Sequence, residues 1–390
     1  MKKKIIRMTT VPISMDIILK GQLGFMNNYF EILGVSSYDE KHLKSVAERE
    51  GIRTIAIEMS RTIDVFKDFL SLIKLILLFI KEKPFIVHTH TPKAGFLGML
   101  AAYITRVPLR LHTVGGLPLT EVKGYKRYLL NTVEKISYYC AHRIYPNSFG
   151  LKKIILFNKF CSEEKLKVLG NGSSNGINTD FFSPEYKSIN STYTNTIRKN
   201  LGIEINEIVF CFIGRIAIEK GILELIEVFE KLQVKYPVKL LLIGVFEKNY
   251  GVLGDEVKQI IYANSSIICP GRFDDVRPYY ALSDIYVFPS YREGFPNSVM
   301  EAGAMGLPCI VSNINGCNEI VQHMVNGLIV EPKDTVSLLN AMELLIKDSD
   351  LREKLSRNAR LYIESCFKNE VIWNELLKEY NSLINFLHDD

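Results

Sequence analysis

The sequence predicts an α/β protein built on two parallel sheets, each covered by helices on both faces. Three observations carry this. Twelve short apolar runs, rich in Ile, Val, Leu and Phe, alternate with helical patterns along the chain. The alternation stops at one turn-rich break and then restarts. The length of 390 residues, with 47 % hydrophobic and 23 % charged residues, suits two ordinary globular domains and excludes a disordered or collagen-like chain. Runs that are apolar throughout point to strands buried on both faces, which is the habit of parallel sheets with crossover helices.

In the first half the expected strands are Ile5–Met8, Phe30–Val35, Thr54–Ile57, Phe85–Thr91, Leu109–Val114 and Arg143–Pro146. The intervals between them are long enough for crossover helices. The most apolar interval, Phe69–Ile80 (FLSLIKLILLFI), is too short to span a bilayer and contains Lys74. It reads as a buried helix packed on the sheet; an interfacial helix is the other reading, because a basic stem beside an apolar face suits a membrane surface. Gly170–Pro184 (GNGSSNGINTDFFSP) is dense in turn residues, and the polar stretch Lys187–Lys199 continues it, which places a linker over about 170–205. The strands then resume at Ile208–Ile213, Lys239–Ile243, Ser266–Cys269, Ile285–Pro289, Cys309–Val311 and Leu328–Val330. Ile222–Tyr236, Val336–Ile346 and Val371–Leu387 have helical apolar spacing. The resulting architecture is a pair of Rossmann-like domains facing each other across a cleft, with ligands expected outside the carboxyl ends of the strands. The domain limits are set at 1–185 and 186–370, with a final helix at 371–390 expected to pack back on the first domain.

Charge is unevenly spread. The net is +5 overall, but residues 1–185 carry +11 and the remainder −6. A basic first half fits an anionic partner such as a membrane surface or a phosphate-bearing substrate, and it also fits a solvated surface. Nucleic acid is disfavoured, since the basic residues are not interleaved with an aromatic-rich strand motif. The seven cysteines contain no CxxC pair, and their odd number does not suit a disulfide framework. The start, MKKKIIRMTTVP, has the charge of a signal-peptide n-region but no apolar region after it. A cytoplasmic setting is expected on both counts.

The densest chemical signal is Pro289–Pro308, PSYREGFPNSVMEAGAMGLP. A strand ends, a loop carries Glu293 and Gly294, and a helix opens with Pro296 near its start, where a missing N–H costs nothing. Backbone N–H groups of Phe295, Asn297 and Ser298 would then offer a phosphate or diphosphate site without a charged side chain. Glu293 and Glu301 are eight residues apart and can face one ligand, a carboxylate being able to accept two hydrogen bonds from a sugar diol. A plain strand–helix unit with two exposed glutamates would look the same. The second signal is Phe212–Gly221, FIGRIAIEKG, where Arg215 and Lys220 come to the same sheet edge as a planar fork and a point charge for phosphate oxygens. It is not a Walker motif.

His88 and His90 alternate along a strand, and His112 lies near the end of the next, before Gly115–Gly116. A three-histidine metal site lacks a completing carboxylate or cysteine, so no metal is expected. His88 and His90 read as structural, and His112 as a group whose imidazole or backbone carbonyl orients a substrate hydroxyl. The loop Lys20–Gly24 is not GxGxxG, so a dinucleotide fingerprint is absent. The basic stretches Lys123–Arg127 (KGYKR) and Lys152–Lys153 suit a lipid-linked phosphate or anionic headgroups as well as solvated helix faces.

On these residues the sequence resembles the family 4 glycosyltransferases of the GT-B fold, similar to bacterial enzymes that build capsule or O-antigen. The resemblance covers nearly the whole chain. It is carried by GRIAIEKG at 214–221, EGFPNSVME at 293–301 and the following GLPCIVSNINGCNEIV. HTHTPKAG at 88–95, HTVGGLP at 112–118 and NGINTDFF at 175–182 add to it. It implies a nucleotide-sugar donor held mainly by the second domain. Arg215, Lys220 and the 295–298 backbone would hold the diphosphate, Glu301 the ribose hydroxyls and Glu293 the donor sugar. His112 would stand beside the transferred sugar from the other domain, and Phe273 would lie in the base-binding loop. Gly21 and Gln22 match the family's first loop only loosely. Gly244–Glu247 departs from the usual Gly-Asp-Gly type turn.

The expected function is therefore retaining, metal-independent transfer of a sugar from a UDP- or GDP-linked donor to a polyprenyl-diphosphate-linked saccharide. No cofactor is expected. The chain would work in the cytoplasm, peripherally on the inner face of the plasma membrane. The alternatives are a nucleotide-sugar epimerase, a sugar phosphorylase of the same shape, or a protein that binds the nucleotide-sugar without turnover.

Overall fold

The computed structural model describes residues 2–60, 62, 64–117, 124–248 and 251–389. Pro118 of HTVGGLP and Lys123 of the KGYKR stretch lie outside them. The chain forms two compact units, Met1–Gly176 with Asn369–Asp390, and Ile177–Lys368.

The first unit runs β1 (Lys4–Met8), α1 (Pro12–Ile18), α2 (Gln22–Asn27), β2 (Glu31–Ser36), α3 (Glu40–Glu50), β3 (Arg53–Ala56), α4 (Val65–Glu82), β4 (Ile86–His90), α5 (Pro92–Ile104), β5 (Leu109–Val114), α6 (Gly124–Cys140), β6 (Arg143–Pro146) and α7 (Phe149–Phe157). Its sheet has the order β3-β2-β1-β4-β5-β6, with parallel neighbours throughout. Side-chain caps start several helices: Asp39 accepts from the His42 N–H, Asp64 from Lys67 and Ser148 from Leu151. Such caps contribute about 1 kcal/mol each.

The second unit runs α8 (Glu185–Ile189), α9 (Ser191–Asn200), β7 (Ile208–Ile213), α10 (Ile222–Gln233), β8 (Val238–Ile243), α11 (Asp255–Ala263), β9 (Ile267–Gly271), α12 (Arg277–Ala281), β10 (Ile285–Phe288), α13 (Asn297–Ala304), β11 (Cys309–Ser312), α14 (Cys317–Ile320), β12 (Gly327–Val330), α15 (Thr335–Lys347) and α16 (Ser349–Phe367). Its order, β12-β11-β10-β7-β8-β9, repeats the plan of the first sheet. The central β7, IVFCFI, is buried from Val209 onward, because helices cover both faces. The last helix, α17 (Asn369–Asp389), belongs to the first unit and buries Leu376, Tyr380 and Ile384 with Ile5, Met15 and Leu23.

Three expectations differ from the structure. The linker expected over 170–205 is mostly ordered secondary structure: Tyr186, Ile197 and Leu201 pack on the second core, and these contacts turn the polar stretch into α8 and α9. The first unit boundary falls after Gly176, not after 185, and the chain returns at 369, not 371. The reason is local, since the Ile177 N–H donates to the Phe367 carbonyl at 2.8 Å and Arg360 donates to the carbonyls of Thr179 and Phe182. Third, the apolar run Phe69–Ile80 is only half-buried. Leu75, Leu78 and Phe79 of α4 face the core, while Phe69, Ile73, Leu77 and Ile80 are exposed.

Candidate functional site

In the second unit, glycines let three strand exits approach closely. A Cβ on Gly244, after β8, would stand 1.8 Å from the Gly214 carbonyl oxygen, after β7. Gly221 has φ +71°, and a Cβ there would stand 2.1 Å from the carbonyl oxygen of Pro289, after β10. Only glycine allows both the left-handed turn and that approach. The segment 214–221 is thereby laid against the β10 exit, and Lys220 meets Glu293.

Lys220 Nζ donates to the Glu293 carboxylate, and Ser290 Oγ donates to the same oxygen at 2.8 Å. The ammonium stands 5.5 Å from the centre of the Phe288 ring. Arg215 is half exposed and is held between two carboxylates, Glu247 and Glu219, the latter at 3.1 Å. An exposed pair of this kind is worth about 0–1 kcal/mol, so an incoming anion can displace it. The Lys220–Glu293 pair is more enclosed, but Ser290 Oγ also donates to the carboxylate, which keeps that partner when the ammonium leaves.

Helix α13 opens beside this pair. Its N-cap is Pro296, and no side chain caps it. Its first N–H groups are therefore available to a ligand. The Phe295 ring is buried against Phe367, 5.3 Å between centroids, so this residue offers only its backbone. Asn297 is exposed and Ser298 is half-buried. The loop before the helix is pinned from outside: Asn315 Nδ2 donates to the Glu293 carbonyl, and a Cβ on Gly316 would stand 2.4 Å from that of Gly294.

Glu301, one turn into α13, is half-buried, and Tyr280 Oη donates to it at 3.0 Å. The same hydroxyl lies 3.1 Å from the Ser298 carbonyl. Burial pushes the Glu301 carboxyl up to about 7, against the downward pull of the Tyr280 hydroxyl. Near pH 7 it therefore changes between a donor–acceptor and an acceptor-only group. Phe273 keeps 37 % of its surface and lies on Tyr279, 4.5 Å between centroids, beside Tyr280 in α12.

The first unit treats its polar groups differently. His112 is buried, with Nδ1 2.8 Å from Thr89 Oγ1, and burial drives its pKa down to about 4. A Cβ on Gly95 of α5 would stand 2.4 Å from the ring, so the glycine of HTHTPKAG is the seat for this imidazole. Packing under α5 encloses the His112 ring, and the exposed residue at this strand exit is Gly115. Gly21 has φ +78°, donates its N–H to Glu50 at 2.8 Å and has no room for a side chain against Trp373. Gln22 is fully buried. It accepts from Arg7 and donates to the Ser174 carbonyl at 3.0 Å and to Asn175 Oδ1 at 3.1 Å. Arg7 is itself buried and 3.0 Å from His90 Nε2, while His88 bonds Tyr380 at 2.5 Å and Thr113 at 2.7 Å. His88 and His90 are structural in this arrangement.

The structure thus joins Lys220 with Glu293, and Glu301 with the Ser298 carbonyl through Tyr280. Arg215 stands on the same stretch as Lys220, and Gly21, Gln22 and His112 lie in the other unit. Glu219, Glu247, Ser290, Tyr280 and Asn315 carry no motif of their own: Glu247, Tyr280 and Asn315 meet distant partners only on folding, while Glu219 and Ser290 bond Arg215 and Glu293 from within four residues. Glu247 had one signal, its place in the departure at 244–247. Thr91 escaped the sequence reading: it holds φ +76° at the β4 exit, uncommon for a β-branched residue, and bonds Thr10 Oγ1 at 2.8 Å. A cavity of about 790 Å³ in the second unit lies elsewhere, at the amino ends of its strands beside Asp284, Pro308 and Arg352. Among the described residues no group of three or more His, Cys, Asp or Glu could hold a metal ion.

Residues 194–362 match the family model of glycosyl transferases group 1, and residues 19–148 that of glycosyl transferase 4-like proteins. The chain is 37 % identical over 384 residues, 98 % of each chain, to the capsular polysaccharide biosynthesis glycosyltransferase CapM of Staphylococcus aureus. It is 31 % identical, over 79 % of its length and 78 % of the relative's, to the UDP-Gal:alpha-D-GlcNAc-diphosphoundecaprenol alpha-1,3-galactosyltransferase of Escherichia coli. A crystal structure of a glycosyltransferase from Rickettsia africae superposes with a TM-score of 0.83 at 21 % identity, covering 98 % of this chain and 99 % of that one.

Proposed function

The chain belongs to the glycosyl transferases of group 1, with the GT-B fold, and we propose that it moves a sugar from a uridine or guanosine diphosphate sugar to a polyprenyl-diphosphate-linked saccharide in surface polysaccharide assembly. The observation that carries this is the Lys220–Glu293 pair set beside the uncapped start of α13. Loss of the leaving group puts negative charge on the nucleotide diphosphate. Lys220, Arg215 and the backbone of Phe295, Asn297 and Ser298 supply fixed positive charge and dipoles for it. On this reading the diphosphate takes over Lys220 and Arg215 from their carboxylates, and the freed Glu293 turns to the donor sugar. Glu301 receives the ribose diol, and Phe273 lies by the base.

We assign no metal requirement, because the cations that neutralise the leaving group come from the chain, and a retaining course on the strength of the family resemblance alone. Two carboxylates flanking one bond, as in glycoside hydrolysis, are not needed here. His112 acts from beneath the β5 exit, as a positioning residue. Gly21 and Gln22 shape the first loop. The relatives' names supply the acceptor class, which would set the enzyme at the inner face of the plasma membrane. No helix among the described residues is long and apolar enough to cross a membrane.

Thermal melting with UDP, GDP, ADP and their sugars, with and without EDTA, tests the donor half. A ligand at one hundred times its Kd stabilises by about 2.7 kcal/mol. A shift with one nucleotide that survives EDTA is expected; no shift at millimolar nucleotide, or one abolished by EDTA, refutes the assignment. Product analysis with a lipid-linked acceptor separates transfer from epimerisation, phosphorolysis and binding without turnover.

A further inference from the structure

Helix α4 has two apolar faces, and only one is used. Leu75, Leu78 and Phe79 enter the core of the first unit. On the other side Phe66, Leu70, Ile73, Leu77 and Ile80 recur at alternating spacings of four and three residues and remain exposed. Phe69 widens the stripe. Phe66 keeps 72 % of its surface, Leu77 61 % and Ile80 58 %. At ~1.5 Å per residue the stripe is about 21 Å long. A folded chain rarely leaves so long an apolar row in water.

The charges beside the stripe have one sign. Lys67, Lys74 and Lys81 follow it at intervals of seven residues, and all three are exposed. Lys67 lies 3.6 Å from the capping Asp64. The helix's own acids are turned away: Asp68 is held by Lys93 at 2.7 Å, and Glu82 is buried on Lys4 and Arg53. With 18 residues and these charges, α4 cannot span a bilayer.

We propose that the outer face of α4 is a docking surface for an anionic lipid bilayer. The helix lies in the interface, with Phe66, Phe69, Leu70, Ile73, Leu77 and Ile80 among the acyl chains and the lysine row at the headgroup phosphates. A second copy of the chain is the poorer occupant, because helices packed antiparallel across a two-fold axis would set one lysine row against the other. The helix begins at the carboxyl-end side of the first sheet, where β3 leaves it, and returns to the start of β4. Its Phe66 end therefore lies on the side where ligands of such sheets bind. The inference rests on the proposed lipid-linked acceptor for the purpose of docking, but not for the surface itself.

The test is flotation of the full chain with vesicles of phosphatidylcholine alone or with phosphatidylglycerol. The wild type is expected to float with the anionic vesicles and to detach as salt rises. Phe69→Gln/Leu77→Gln should weaken binding by about tenfold or more without lowering the melting temperature, since both side chains are exposed. Lys74→Glu/Lys81→Glu should abolish the preference for anionic lipid while leaving the apolar stripe intact. No flotation of the wild type overturns the proposal, as does equal flotation of the variants. A dimer that Phe69→Gln/Leu77→Gln converts to monomer also overturns it. Transfer is assayed separately. The same apolar variant should keep wild-type turnover on a water-soluble short-chain acceptor and lose it on a vesicle-embedded one. Absence of turnover on both acceptors by the wild type would refute the catalytic reading and leave the flotation result standing.

Discussion

The two units share one sheet plan and place their charges in opposite ways. In the second, Arg215 and Lys220 stand at strand exits in partly exposed pairs, Arg215 with Glu219 and Glu247 and Lys220 with Glu293. In the first, Arg7, Gln22, His88, His90 and His112 are buried and bonded inside the unit. Exchangeable pairs suit a group that must release one partner for a ligand. Enclosed networks suit a group that must never move, since each buried polar atom left unpaired costs about 1–3 kcal/mol. A polar residue near a strand exit is therefore not by itself a ligand contact; the covering helix decides.

The sharpest way to break this contrast is Lys220→Ala. It should lower kcat/KM by about a thousandfold, roughly 4 kcal/mol of transition-state stabilisation, while the melting temperature moves by a few degrees at most. Wild-type turnover would place the diphosphate elsewhere. Gln22→Ala should do the reverse. It leaves the buried Arg7 with His90 as its remaining partner, at a cost of about 3 kcal/mol in urea unfolding, while the folded fraction keeps its kcat. A large kcat loss at unchanged stability would put Gln22 in the chemistry after all. Gly95→Ala should cost about 2 kcal/mol by overpacking His112, and a neutral result would mean that α5 can shift away.

The pH dependence sharpens the contrast further. Glu301 has a folded pKa of about 7, above its ordinary 4.5. Between those values the folded chain holds more protons than the unfolded one, so this group's stabilisation is full below 4.5 and is lost as pH rises through 7. It amounts to roughly 2 kcal/mol, allowing for the partial exposure of the residue. Glu301→Gln should remove that slope, and with it the rise in nucleotide-sugar affinity expected as the carboxylate forms. His112 runs the other way. Its folded pKa is about 4, below its ordinary 6.5, so its stabilisation is present above 6.5 and is lost as pH falls through 4. Melting curves across pH 4–8 for wild type and variant separate the two. The smallest effect is expected for Glu247→Gln, less than about 1 kcal/mol of stability, because Arg215 is exposed and retains Glu219. A larger loss would make the Arg215 cluster a structural one.

The alternation of buried runs was enough to place all twelve strands, because an apolar run between turn residues has few other uses in a chain of this length. The loop 293–298 and its helix were legible for the same kind of reason: Pro296 and the residues around it act within one turn of each other. The partners of the site were not legible. Glu247 meets Arg215 from 32 residues away, through strand exits whose approach depends on Gly214 and Gly244, and Tyr280 of α12 meets Glu301 of α13 from 21. Periodicity likewise found the apolar helix at 69–80 but not its two faces, since apolar residues all round a helix do not say which side the sheet covers. The sequence by itself determined the strands, the helix starts and the residue types offered at the exits, because these follow from local spacing and backbone preference. Only the tertiary structure decided that His112 and Gln22 are enclosed while Arg215 and the outer stripe of α4 are not, because burial depends on what packs above a residue.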